Sequence, residues 1–244
     1  NKEIVRFITE SHTKYKWSVL DIIKIRDVDY YTKRSFEKTK LSKDYKTILN
    51  KISDGSVLDV GCGYSPLKRE FNKYLGKNKY VGLDSDFNVF RLYSGINDVL
   101  WYDLNKGGME RWGNLYNYFV DNKKLKKILN IKYDNILIVN SIHYFDQDKL
   151  FRMIKNVSKS GTRVYVKYLS KEVFNEKIKD FDGYIDNDDN WVVKEGEDKL
   201  KIYYHWTHTK PHIEKLISSK SLHENFRNIG FKKCDVSFFE SMDY

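Results

Sequence analysis

Short apolar, β-branched runs alternate along the chain with amphipathic and polar stretches. Residues 57–60, 80–84, 99–103, 133–140 and 162–168 have the length and composition of strands. The clearest buried one is Tyr133-Asp134-Asn135-Ile136-Leu137-Ile138-Val139-Asn140, which continues into Ser141-Ile142-His143-Tyr144-Phe145. Helical patterns fall between them. Ser42 is placed to cap a helix over 43–51, and Ser65-Pro66 supplies an N-cap residue and a first-turn proline. Further helices are expected over 87–93, 148–157 and 220–229, the last closed by Gly230. A Ser-Lys-Ser-Gly turn is expected at 158–161. Residues 170–200 are acidic and read as an irregular insertion or loop, followed by an alternating strand at 201–206 and a final strand over 231–239. The pattern predicts an α/β fold: a doubly wound, mostly parallel sheet with a late antiparallel strand. Residues 42–244 form this domain, and residues 1–41 form an N-terminal arm.

Composition narrows the partners. The 244 residues carry a net charge of +10, which suits a polyanion, although 19 tyrosines and only 2 prolines beside many Lys, Asn and Ile also fit an AT-rich genome. The basic run Lys123-Lys124-Leu125-Lys126-Lys127 reads as a solvated helix face or as an RNA-contacting one. In the arm, His12, Tyr15, Trp17, Tyr30, Tyr31 and Phe36 interleave with Lys14, Lys16, Lys33 and Arg34, a mixture suited to stacked, charged nucleotides. Two cysteines, Cys62 and Cys234, make neither a disulfide framework nor a zinc set, and no metal is expected. No apolar run approaches the roughly 18 residues of a membrane span, so no membrane association is expected. A start at Asn1 suggests one domain of a longer polypeptide.

The chemistry centres on Val57-Leu58-Asp59-Val60-Gly61-Cys62-Gly63-Tyr64-Ser65-Pro66. A strand, a Gly-x-Gly turn and a helix start bring bare backbone N–H groups close to a nucleotide-like ligand. The second strand ends in Asp84, placed to accept hydrogen bonds from ribose hydroxyls. The third glycine of the dinucleotide fingerprint is replaced by Pro66, and no Gly-Lys-Ser/Thr is present. Asp-x-Gly-x-Gly followed by a second acid resembles the cofactor site of S-adenosylmethionine (SAM)-dependent methyltransferases. The resemblance implies a Rossmann-like sheet, SAM as cofactor, Asp59, Gly61 and Gly63 at its methionine part, Asp84 at its ribose and Asp103 at its adenine.

Asn140-Ser141-Ile142-His143-Tyr144-Phe145 resembles the Gln-Phe-x-x-His-Tyr segment of mRNA cap guanine-N7 methyltransferases. It implies cofactor contacts from Asn140 and Ser141, with His143 and Tyr144 facing the cap guanine. Glu214, in His208-Thr209-Lys210-Pro211-His212-Ile213-Glu214, matches the guanine-reading glutamate of that family; its other reading is a helix-start acid. Arg34-Ser35-Phe36-Glu37-Lys38-Thr39-Lys40 is a loose copy of the family's Arg-Asn-Phe-Asn-Asn-x-x-Lys. Phe36 then falls on the cap side and Lys40 at the cofactor carboxylate, with Lys38, Lys43 and Lys46 as equal contenders. Tyr244 falls near a late cap-stacking tyrosine.

The resemblance covers residues 30–244 and implies a divergent capping-enzyme domain of a large DNA virus or similar element. It would act in the host cytoplasm or virion, or alternatively in the nucleus. Its partner would be capped RNA, alongside other capping-enzyme domains (triphosphatase, guanylyltransferase) or a stimulatory subunit. Catalysis would rest on positioning, with no catalytic acid or base. Two other readings stand beside it: a ribose 2′-O methyltransferase, and a non-catalytic methyltransferase-fold subunit that binds RNA or stimulates a partner.

Overall fold

The computed structural model describes residues 41–52, 54–67, 70–85, 99–105, 122–168, 170–172, 175, 183–185, 191–196, 198–203, 212–233 and 235. The arm over 1–40, the helix expected at 87–93 and most of the expected last strand lie outside them.

Five strands form a parallel sheet: β1 (Ser56–Val60), β2 (Lys79–Asp84), β3 (Val99–Trp101), β4 (Tyr133–Val139) and β5 (Ser158–Lys167). Their order is β3-β2-β1-β4-β5, and every pairing is parallel. Strand order therefore reverses between β1 and β4, opening a crevice beyond their carboxyl ends where open α/β sheets bind ligands. The fold is the doubly wound, Rossmann-like α/β arrangement expected from the alternation.

Helices cover both faces, and β4 shows why. Its residues alternate between two cores with the strand period of two. Ile136 and Ile138 pack with Leu58, Val60, Leu150, Ile154 and Phe226, whereas Leu137 and Val139 pack with Val57, Tyr45, Ile48, Leu49 and Phe71. The first layer comes from α4 (Gln147–Val157) and α5 (Ser219–Asn228), with α3 (Asn122–Asn130) at its margin. The second comes from α1 (Lys43–Leu49) and α2 (Phe71–Leu75). Each well-formed helix starts on the side chain that suits it: Ser42 accepts from Tyr45 N–H at 3.3 Å, Asp146 from Lys149 N–H at 3.1 Å, and Ser218 from Ser221 N–H at 3.0 Å. Gly230, at φ 104°, ends α5 in a conformation that glycine adopts without strain.

Three expectations change. Ser65–Leu67 forms one turn of 3-10 helix, and the α-helix begins later, at Phe71. Residues 158–161 are absorbed into β5 as an irregularity: Tyr133 pairs with Ser158, and the next pair is Asn135 with Arg163. Thr162 holds it by accepting from Lys159 N–H at 2.8 Å and donating to the Tyr133 carbonyl at 2.6 Å. The late antiparallel part is a separate sheet, β6 (Gly183–Ile185), β7 (Trp191–Glu195), β8 (Lys199–Tyr203) and β9 (His212–Lys215), in the order β6-β7-β8-β9. Two of its strands, β6 and β7, lie inside the stretch read as irregular. Gly196, at φ 68°, turns β7 into β8, and Lys201 meets Glu195 across the pair at 2.6 Å. Both are short, and the acidic stretch that holds them shows no sustained alternation.

One polar knot fastens the amino end of the parallel sheet. Asp134 accepts from Ser56 N–H and Ser56 Oγ–H, both at 2.9 Å, and pairs with Lys159 at 2.6 Å. Lys159, with the Ser56 donors, holds the Asp134 carboxyl down to about 2. Its stabilising contribution is therefore present above about pH 4 and lost as pH falls towards 2. Asp134→Asn is expected to lower the urea midpoint at pH 7, with the gap to wild type narrowing at pH 3. A gap of the same size at both pH values would contradict this role.

Candidate cofactor site

The crevice is built around one turn. At the end of β1, Gly61 (φ 74°) and Gly63 (φ 52°) take left-handed backbone conformations that disfavour side-chain-bearing residues. These angles let the chain fold over the end of β2. There the N–H groups of Gly61 and Cys62 both donate to the Leu83 carbonyl, at 2.8 and 3.1 Å. Gly63 N–H donates to Asp84 Oδ2 at 2.8 Å. From β4, Ser141 Oγ donates to the Val60 carbonyl at 2.8 Å.

The turn has a closed side and an open side. A Cβ on Gly61 would lie 2.6 Å from Ser141 Cβ and 3.2 Å from Phe145 Cζ, whereas one on Gly63 would meet nothing within 4 Å. Gly82 serves the same packing, since a Cβ there would lie 2.8 Å from Cys62 Sγ. Cys62 is buried, and burial pushes its thiol pKa well up, so it is a packing group and not a nucleophile. An open glycine backbone beside a carboxylate suits a ligand with an amino-acid end and a ribose, and SAM fits that donor and acceptor set.

Asp59 lies behind the turn. It alternates with Leu58 and Val60, so it faces the α1–α2 layer together with Val57. It is 0% exposed. Tyr80 Oη–H reaches its Oδ2 at 2.9 Å, and Tyr45 Oη lies 3.4 and 3.3 Å from its two oxygens and 3.4 Å from the Cys62 carbonyl. Burial, only partly offset by the Tyr80 and Tyr45 hydroxyls and reinforced by the negative charge of Asp84, pushes the Asp59 carboxyl up to about 7.

The other expected residues occupy the carboxyl edge. Asp84 and Asp103 sit at the ends of the neighbouring strands β2 and β3, both half-buried. Asp103 Oδ1 accepts from Asn105 N–H at 3.0 Å. Beyond β4, Ser141–Phe145 is not a continued strand: Ile142–Tyr144 is a turn of 3-10 helix. His143 is half-buried with its ring 4.2 Å from that of Tyr144, and Tyr144 is 43% exposed. Asn140 is the one non-glycine residue with positive φ among the described residues, at 54°. Its side-chain amide points to Asp44 on α1, 3.4 Å away, where Lys167 also pairs with Asp44 at 2.8 Å.

Glu214 lies in β9 opposite Leu200, so the helix-start reading does not hold. β9 runs beside the 142–144 turn. Lys46, a contender for the cofactor carboxylate, is paired with Glu70 at 2.7 Å, while Lys43 is exposed. Phe36, Lys38, Lys40 and Tyr244 lie outside the described residues.

Asn105 escaped the sequence reading. Its side-chain amide donates to the Tyr144 carbonyl at 2.7 Å, and its Oδ1 accepts from Asp146 N–H at 2.6 Å. It ties the loop after β3 to the His143-Tyr144 turn. The only signal was a polar residue two places after a strand-end acid. Among the described residues there is no group of His, Cys, Asp or Glu that could hold a metal ion, and no helix long and apolar enough to cross a membrane.

A parallel sheet with this strand order, a glycine turn at its switch point and an acid at the end of β2 define a nucleotide-cofactor α/β enzyme. A methyltransferase domain family matches residues 33–236, and the chain belongs to that family. It is a SAM-dependent methyltransferase, and SAM is its cofactor. Similar solved structures include a Pyrococcus horikoshii protein, at 15% identity over 84% of each chain with a TM-score of 0.46. A SAM-dependent methyltransferase from Archaeoglobus fulgidus matches at 16% identity, over 91% of this chain and 77% of that one, with a TM-score of 0.45. One from Bacteroides fragilis in complex with S-adenosyl-L-homocysteine matches at 17% identity, over 83% and 76%, with a TM-score of 0.47. No curated protein matches the chain.

Two outcomes follow from this geometry. Gly61→Ala, which drives a methyl group into Ser141, is expected to weaken SAM binding at least tenfold by calorimetry, and unchanged affinity would contradict the turn's role. Asp59 keeps its proton in the fold between about pH 4 and 7, where the unfolded chain has lost it, so it makes the protein less stable as pH rises through that range. Wild type should therefore lose melting temperature relative to Asp59→Asn between pH 5 and 7.5. A constant difference would show that Asp59 does not titrate there.

Proposed function

We propose that this enzyme transfers the methyl group of SAM to guanine N7 of the 5′ cap of mRNA. The observation that supports it is a convergence at the carboxyl end of β4. The 142–144 turn carries His143 and the exposed Tyr144 there, and β9, the strand that contains Glu214, runs beside that turn. A carboxylate accepts from both guanine N1–H and the exocyclic amine, an aromatic face stacks on the base, and a histidine orients it. The cofactor side is assigned to Gly61, Gly63, Asp84, Asp103, Asn140 and Ser141, with Lys40 at the carboxylate. Phe36 and Tyr244 join the cap side. Capped RNA is the partner, with other capping-enzyme domains or a stimulatory subunit beside it.

SAM supplies a methyl group already activated on a sulfonium. Guanine N7 is an acceptor with a free lone pair, so no residue has to remove a proton. The residues' task is to hold the base in line with the methyl, and positioning of this kind supplies roughly 7–11 kcal/mol. Tyr144 also favours the positive charge that develops on the guanine. A second reading, transfer to a ribose 2′-hydroxyl, draws on the Lys167–Asp44 pair at the carboxyl end of β5, because a hydroxyl needs a lysine–acid set to activate it. The net charge of +10 fits either RNA substrate.

Incubation with labelled SAM and GpppA-capped RNA, followed by nuclease mapping, separates these readings. Label on guanine N7 is expected. Label on a ribose supports the second reading, and label on neither overturns both. Glu214→Gln should lower kcat/KM for capped RNA roughly 10- to 100-fold with SAM affinity unchanged. His143→Gln should keep a rate well above the 10²–10⁴-fold loss typical of a missing acid or base.

A further inference from the structure

We propose that Tyr45 and Tyr80 are positioning residues for the cofactor, acting on the Gly61–Gly63 turn through the sealed Asp59 carboxyl. The proposal rests on the membership in the methyltransferase family and not on the identity of the methyl acceptor. The two tyrosines approach Asp59 from different elements, Tyr45 from α1 and Tyr80 from β2. Both rings are built into the α1–α2 core: Tyr45 is 5% exposed, and Tyr80 packs edge-on against Phe71 at 5.0 Å. Each presents its hydroxyl to the carboxyl.

Tyr45 carries the link forward. Its hydroxyl lies 3.3 and 3.4 Å from the Asp59 oxygens and 3.4 Å from the carbonyl of Cys62, the central residue of the turn. One hydroxyl has one proton, so the Asp59 carboxylate and the Cys62 carbonyl compete for it, while the Ser65 hydroxyl, also bonded to Tyr45 Oη, can donate to that oxygen in either state. When Asp59 is ionised, the carboxylate takes that proton and the Cys62 carbonyl is left without it. When Asp59 is neutral, its O–H donates to Tyr45 Oη, and Tyr45 donates onward to Cys62. The neutral state thus completes a three-member chain, Asp59 to Tyr45 to the Cys62 carbonyl, that fastens the turn from behind. Tyr80 sets the balance by donating to Oδ2 at 2.9 Å, and so favours the carboxylate. The groups facing Asp59 are Tyr45 from α1, Tyr80 from β2, the buried Cys62 thiol from the turn and Asp84 from the end of β2. Across β1 its strand neighbours are Gly82 and Leu137, which do not titrate. With Asp59 pushed up to about 7, the two arrangements exchange near neutral pH.

The readout is the dissociation constant of S-adenosylhomocysteine, measured by calorimetry from pH 6 to 8.5 on the full chain; it needs no acceptor substrate. Tyr45→Phe and Tyr80→Phe keep the rings, and circular dichroism checks that each is folded at the temperature used. Wild type should bind about 2- to 10-fold more tightly at pH 6 than at pH 8.5. Tyr45→Phe should bind with the weaker affinity throughout and lose the pH dependence centred on Asp59. Tyr80→Phe, which removes the donor that favours the carboxylate, should move that dependence to higher pH. Asp59→Asn gives a further reading should one tyrosine variant fail to fold: its midpoint near 7 should vanish. Wild-type affinity and an unchanged pH profile in a folded Tyr45→Phe protein would overturn the proposal. If the methyl acceptor proves not to be guanine, these outcomes stand unaltered.

Discussion

The Leu83 carbonyl is the point on which the site depends. It accepts two backbone N–H groups from the turn after β1, and by doing so bends that chain across the end of β2. A carbonyl has two lone pairs, so both donors are satisfied by one acceptor. The bend requires positive φ at Gly61 and Gly63, and glycine adopts it without strain. Ser141 closes the far side from β4 and leaves no room for a side chain on Gly61. The ends of β1 and β2 on one side of the switch point and of β4 on the other thus hold a single short loop, and the parallel sheet brings these ends together.

From that seat outward, polar groups lie on the strand ends and rigid packing lies behind them. Asp84 and Asp103 stand on adjacent strands, and Tyr102 N–H donates to the Asp84 carbonyl at 2.8 Å, which fixes their spacing. Asn105 fastens the loop after β3 to the turn that carries His143 and Tyr144. Asp44 meets both Lys167 and Asn140, so α1 is fastened across the ends of β4 and β5. Side chains at the strand ends are thus held by fixed neighbours.

Much of this was legible in the chain. The β1 turn, the acid at the end of β2 and the buried β4 run announce themselves because each is a local pattern with one physical cause: a backbone bend, a carboxylate at a strand end, a strand buried on both faces. The caps at Ser42 and Gly230 were legible for the same reason. What the chain did not reveal is set by distant partners. Asp59 belongs to the glycine motif by sequence, but strand alternation turns it into the core, where Tyr45 and Tyr80 close over it. Asn105 matters only because the turn after β4 comes within reach. Of the second sheet only β8 was legible, as the alternation at 201–206; β6 and β7 are short strands inside an acidic stretch that shows no sustained alternation. Ser158–Gly161 looked like a turn, and the residues are bent, but β4 pairs through the bend.

The most direct test of the central claim is a crystal structure with S-adenosylhomocysteine bound. If the turn held by Leu83 is the cofactor seat, the amino-acid end of the ligand lies over the open side of Gly63, its ribose hydroxyls meet Asp84, and Asp59 remains enclosed behind. A ligand seated elsewhere, or a ribose with no contact to Asp84, would contradict it.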